Sequence, residues 1–60
     1  MTFREVEKMI KNDGWFLVKI RGSHYHYEHA VKTGKVTVPR HAGDLPLRVV
    51  NSIRSQAGLK

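Results

Sequence analysis

Apolar positions in the segment TFREVEKMIKNDG recur at Phe3, Val6, Met9 and Ile10, the three- and four-residue spacing of one helical face. Thr2 and Glu5 stand three residues apart, as in a capping box where each side chain covers the other's free backbone N–H. Asn12, Asp13 and Gly14 then supply turn chemistry and a left-handed stop. The pattern predicts a first helix ending there.

The period changes in WFLVKIR, which is rich in aromatic and β-branched residues and too short for a helix between two glycines. It predicts a strand from Trp15 to Arg21. Gly22-Ser23 fits a two-residue hairpin turn with glycine at the first central position. A returning strand from His24 to His29, a loop from Ala30 to Gly34 and a short strand from Lys35 to Val38, stopped by Pro39, complete the middle of the chain. In GDLPLRVVNSIRSQAGLK, Asp44 and Pro46 are start signals, Leu47, Val50, Ile53 and Ala57 form the apolar stripe, Gly58 caps and Leu59 folds back. The expected class is therefore α+β, ordered α-β-β-β-α. Residues 1–60 form a single domain in this reading, with both helices on one face of a three-stranded antiparallel sheet.

With a two-residue turn, Arg21 faces His24, Ile20 faces Tyr25, Lys19 faces His26 and Val18 faces Tyr27. Alternation then gives an apolar face of Phe16, Val18, Ile20, Tyr25, Tyr27, Val36 and Val38, which the helices cover. The open face carries Lys19, Arg21, His24, His26, Glu28, Lys35 and Thr37, flanked by Arg40 and His41. His29 falls on the other side and takes a structural role.

Composition sharpens this picture. Lys and Arg outnumber Asp and Glu by 11 to 5, a formal net charge of +6, the electrostatic footprint of a polyanion binder. An open sheet face must be polar in any case, but here the cationic excess is concentrated on it. There is no cysteine, which excludes disulfides, thiolate zinc sites and a thiol nucleophile. No long apolar run or secretory leader is visible, so a soluble cytoplasmic protein is expected, with no membrane association. A chain of 60 residues buries only roughly 60% of its unfolded surface, and a small core of this kind gains from a partner that binds only the folded form.

Three histidines lie within RGSHYHYEH. Histidine holds or releases a proton near neutral pH, and Lys or Arg beside it can neutralise phosphoryl charge. That combination suits metal-free RNA cleavage. His24, where the strand leaves the glycine turn, is the leading catalytic candidate, since Gly22 allows a ligand close approach. Lys19, Arg21, Gly22, Ser23, His26, Lys35, Arg40 and His41 form the expected RNA-binding set, with His26 and His41 as further acid or base candidates. His24 and His26 could begin a zinc site, but a third ligand such as His41 or Glu28 would have to converge, and Lys19 and Arg21 would repel a dication. No metal or other cofactor is expected. Ser23 lacks an orienting acid for a serine triad.

An initial helix, then DGW before an apolar strand, GSH with an aromatic three residues beyond the histidine, VTVPRH, and SIRSQAGL follow one another at these spacings. The set resembles the HicA-type toxins of bacterial toxin–antitoxin pairs over nearly the whole chain. That resemblance implies a double-stranded-RNA-binding-domain-like fold, ribosome-independent mRNA cleavage with His24 as the catalytic histidine, no metal, and neutralisation by a HicB-type antitoxin. The chain departs from many relatives in having Leu47-Arg48-Val49 where they carry Pro-Gly-Thr, and Arg54 where an aliphatic residue is common. The competing classes are a non-catalytic RNA-binding module of the same plan and a protein that acts chiefly by binding its partner. A groove-gripping module usually clusters lysines at its last helix, whereas here that helix offers Arg48 and Arg54.

Overall fold

The structure is a computed structural model and describes residues 1–59. Helix α1 (Phe3–Asn12) is followed by strands β1 (Trp15–Arg21), β2 (His24–His29) and β3 (Val36–Pro39), and then helix α2 (Leu47–Gln56). The strands form one antiparallel sheet in the order β1-β2-β3. The two helices pack on one face, giving the expected α-β-β-β-α architecture.

Helix α1 starts as its sequence dictates. Glu5 N–H donates to Thr2 Oγ1 at 3.2 Å while Thr2 N–H donates to Glu5 Oε1 at 2.8 Å. The bond from the Thr2 backbone N–H, with a smaller contribution from the Thr2 side chain, holds the Glu5 carboxyl below its ordinary range. Phe3, Val6 and Ile10 are buried from its inner face.

Helix α2 departs from expectation at its start. Its N-cap is Pro46, with no side-chain cap, and Asp44 instead pairs through its backbone with Thr2. Leu45 N–H donates to Met1 C=O at 2.7 Å, fastening the approach to α2 against the start of the chain. Leu45 is buried in place of Leu47, which is 74% exposed. Leu45 and the equally buried Val50 occupy the N′ and N4 positions of a hydrophobic staple, so the apolar stripe begins two residues before the helix itself. At the other end Leu59 N–H reaches Arg54 C=O at 2.7 Å with Gly58 at φ 73°, the cap read from the sequence.

The buried residues form one cluster drawn from both helices, all three strands and Leu45. Trp15 anchors it: the ring is 2% exposed and its Nε1–H donates to Ala57 C=O at 3.3 Å. Strand β3 runs one residue later than expected, from Val36 to Pro39. An edge strand can end on proline because no further ladder donor is required there.

The β1 register corrects the expected faces. Arg21↔His24, Ile20↔Tyr25 and Lys19↔His26 hold, but Tyr27 then faces Leu17 rather than Val18, because an irregularity falls between Leu17 and Lys19. One extra residue, Val18, is accommodated there as a bulge. Beyond it the parity of β1 is reversed. Trp15 and Leu17 point to the helices with His29 and Tyr27, whereas Phe16 faces Glu28 on the open side. Phe16 and Val18 are consequently exposed rather than core residues. Ile20 keeps its expected face but is half exposed: of the two helices α1 packs on both β1 and β3, whereas α2 packs on β3.

Candidate functional site

Three cross-strand rows build the open face from the hairpin end inward. Arg21, His24 and Pro39 form the first row, Lys19, His26 and Thr37 the second, and Phe16 with Glu28 the third. Gly22 turns the hairpin at φ 56° while Ser23 stays at negative φ, the sign pattern of a II′ turn. Ser23 C=O accepts from Arg40 N–H at 2.6 Å, so the tip of the β1–β2 hairpin is tied to the end of β3. His24 is thereby set at a fixed corner of the sheet, with its side chain exposed.

A cleft of about 360 Å³ lies on this face, lined by Val18, Lys19, Arg21, His26, Glu28 and Lys35. Three cations against one carboxylate give it positive character, as a phosphate requires. His26 is its best-defined member: Nδ1 lies 3.1 Å from Thr37 Oγ1, and Thr37 N–H donates to Gln56 Oε1 of α2 at 3.1 Å. With Nδ1 engaged, Nε2 is the nitrogen left for a ligand. His24 stands just outside the lining, two residues along the same strand, which separates the two Cα atoms by about 7 Å.

The remaining expected residues are distributed differently. Arg40 turns its guanidinium to the helix side, 5.0 Å above the Phe3 ring, which in turn meets Tyr25 edge-on at 4.9 Å. Only its backbone supports the hairpin. His41 is exposed in the segment after β3 and does not line the cleft. His29 has the structural role expected of it. Its Nε2–H donates to Asp13 C=O at 2.6 Å, and Nδ1 accepts from the N–H groups of Val31 and Lys32, both at 3.0 Å. That network assigns the Nε2–H tautomer and leaves no lone pair for a metal. Among the described residues, no group of three or more His, Cys, Asp or Glu side chains is placed to hold an ion.

A larger and more open hollow of about 700 Å³ lies on the helix side, lined among others by Glu5, Asp13, Arg54 and Leu59. Its carboxylates are already committed: Glu5 to the α1 cap, and Asp13 to Lys32, whose Nζ donates to Oδ2 at 2.5 Å. It lies away from every histidine on the open face, so the smaller cleft is the better functional candidate.

Sequence reasoning placed Lys19, Arg21, His24 and His26 on this face, but it misplaced Arg40 and missed Phe16 and Val18. Its only signal was negative: WFLV is apolar at both parities, so alternation there fixes no face.

A three-stranded sheet covered on one side by two helices, with a basic histidine-bearing face left open, defines a small protein of double-stranded-RNA-binding-domain-like fold. Residues 3–59 match the family described as the HicA toxin of bacterial toxin–antitoxin systems, and the chain belongs to that family. It is accordingly the toxin member of such a pair, with an antitoxin as partner. No curated protein matches the chain significantly. Among the described residues, no helix is long and apolar enough to cross a membrane.

Proposed function

We propose that this toxin is a metal-independent endoribonuclease that cleaves mRNA in the cytoplasm, with His24 as its catalytic acid–base residue and a HicB-type antitoxin as the protein that covers the site. The observation that carries the reading is the placement of His24 on the same sheet face as the cationic cleft, one row from His26, Lys19 and Thr37.

In the proposed reaction, His24 removes the proton from a ribose 2′-OH, and the resulting oxygen attacks the adjacent phosphorus. The P–O5′ bond breaks, and the departing oxygen takes a proton from the imidazolium so formed or from His26. The products are a 2′,3′-cyclic phosphate and a 5′-hydroxyl end. Lys19 and Arg21 neutralise charge gathering on the non-bridging oxygens, and Lys35 holds a neighbouring phosphate. Gly22 and Ser23 keep the entrance to His24 low. Lys19, Arg21 and Lys35 also disfavour a divalent ion, which supports chemistry run by imidazole alone.

Expression of wild type beside His24→Ala, with end analysis of the recovered RNA, tests this reading. Wild type is expected to arrest growth and leave 5′-hydroxyl ends, and His24→Ala to do neither. Equal toxicity of the two, or 5′-phosphate ends, would remove the proposed mechanism.

A further inference from the structure

The bulge at Val18 changes what the open face can recognise. Without it, Phe16 would lie under the helices and Leu17 and Trp15 would take the open face in its place. With it, Phe16 faces Glu28 in the row directly inside the phosphate-binding rows, 48% exposed, and Val18 lines the cleft. A half-exposed aromatic ring one row from Lys19 and two from Arg21 is a combination that recognises unpaired bases, since every base has a face to stack. A paired helix offers no such face.

We propose that Phe16 and Val18 form a base-stacking subsite for one unpaired nucleotide of single-stranded RNA, adjacent to the phosphate held by Lys19 and Arg21. This rests on the ribonuclease reading and names its substrate class. The cleft of about 360 Å³, which Phe16 borders from the next row without lining it, sits at the small end of the roughly 300–1,000 Å³ typical of ligand pockets, the scale of a single nucleotide. Successive rows are about 7 Å apart, so a phosphate at Lys19 and Arg21 places its own base over the Phe16 row. The charge pattern fixes the direction. Glu28 repels phosphate from the inner row, leaving the Lys19 and Arg21 end for the backbone and the Phe16 end for the base. Thus a fold shared with duplex-binding modules, which read shape and 2′-OH groups across a groove, here presents a surface suited to a loop or an unpaired stretch.

The test uses the full-length toxin and a 2′-O-methyl oligoribonucleotide, which cannot be cleaved by 2′-OH attack, as a single strand and as a duplex with its complement. Wild type is expected to bind the single strand more tightly than the duplex. Phe16→Ala should weaken single-strand binding about tenfold to a hundredfold, and Phe16→Trp should retain it, with thermal midpoints close to wild type because the residue is half exposed. Equal binding by Phe16→Ala, or duplex binding as tight as single-strand binding, would overturn the subsite. So would a Phe16→Ala variant that binds RNA normally but no longer captures the antitoxin, since the ring would then belong to a protein interface. Cleavage of unmodified RNA by wild type is measured in parallel. Its absence would count against the ribonuclease reading, whereas cleavage at equal rates by wild type and Phe16→Ala would sink the subsite alone.

Discussion

Thr37 Oγ1 lies 3.1 Å from Nδ1 of His26, and Thr37 is itself held by Gln56 from the far side of the sheet. The imidazole therefore faces the cleft in an orientation set by two elements, β3 and α2. Thr37→Val preserves the β-branched shape and removes the hydroxyl. As Thr37 is a positioning residue, the substitution is expected to slow cleavage about fivefold, the scale of one hydrogen bond of ~1 kcal/mol, and to displace the pH–rate profile. An unchanged profile would mean that the orientation of His26 does not matter to the reaction.

His24 and His29 should separate cleanly in stability measurements. His29 makes three hydrogen bonds and meets the Trp15 ring edge-on at 5.1 Å, so His29→Ala is expected to cost about 2–4 kcal/mol. His24→Ala, on an exposed side chain, should change stability by less than about 0.5 kcal/mol. Denaturant titration of the two variants decides it, and a reversed order would contradict the assigned roles.

Two hairpin-adjacent glycines make a similar contrast. Gly14 has φ 104°, and a Cβ there would meet His29 Nε2 at 2.7 Å, whereas Gly22 has φ 56° and open space around it. Gly22→Ala meets only the left-handed backbone cost of about 1–2 kcal/mol. Gly14→Ala adds a clash with the ring that ties β2 to the end of α1, and is expected to be clearly the more destabilising in thermal melts.

Stability should fall at both extremes of pH. The Lys32 ammonium bonded to Asp13 holds that carboxyl below its ordinary value of 3.8. Its contribution is present above that value and is lost as pH falls through the lowered one. Burial, aided by the bond from Tyr27 to Glu7, pushes the Tyr27 phenol above its ordinary 10.0. Its contribution is full below that value and is lost as pH rises beyond it. Asp13→Asn should flatten the acid limb of a stability–pH curve and Tyr27→Phe the alkaline limb, each leaving the other unchanged.

The alternation of HYHYEH fixed the faces of β2, because tyrosine and histidine sort unambiguously between core and water, and through that strand His24 and His26 were legible as partners on one face. The capping box of α1 and the Gly58 cap of α2 were legible for a related reason: each is a local hydrogen-bond solution written in adjacent residues. Strand β1 was not. Four consecutive apolar residues satisfy either parity, so the bulge at Val18, the burial of Trp15 and the exposure of Phe16 are decided by tertiary packing against Ala57 and His29. The same holds for Leu45 over Leu47, which is settled by a backbone bond to Met1. Arg40 read as an arm of the open face because it follows β3, yet the Phe3 ring draws its guanidinium to the other side.

The most direct test of the central claim is the single-turnover rate of RNA cleavage by purified toxin in excess EDTA, wild type against His24→Ala of matched thermal midpoint. The predicted result is undiminished wild-type cleavage in EDTA and a loss of about 10²–10⁴-fold in the variant. Cleavage abolished by EDTA, or a variant as fast as wild type, would contradict a metal-free reaction carried by His24.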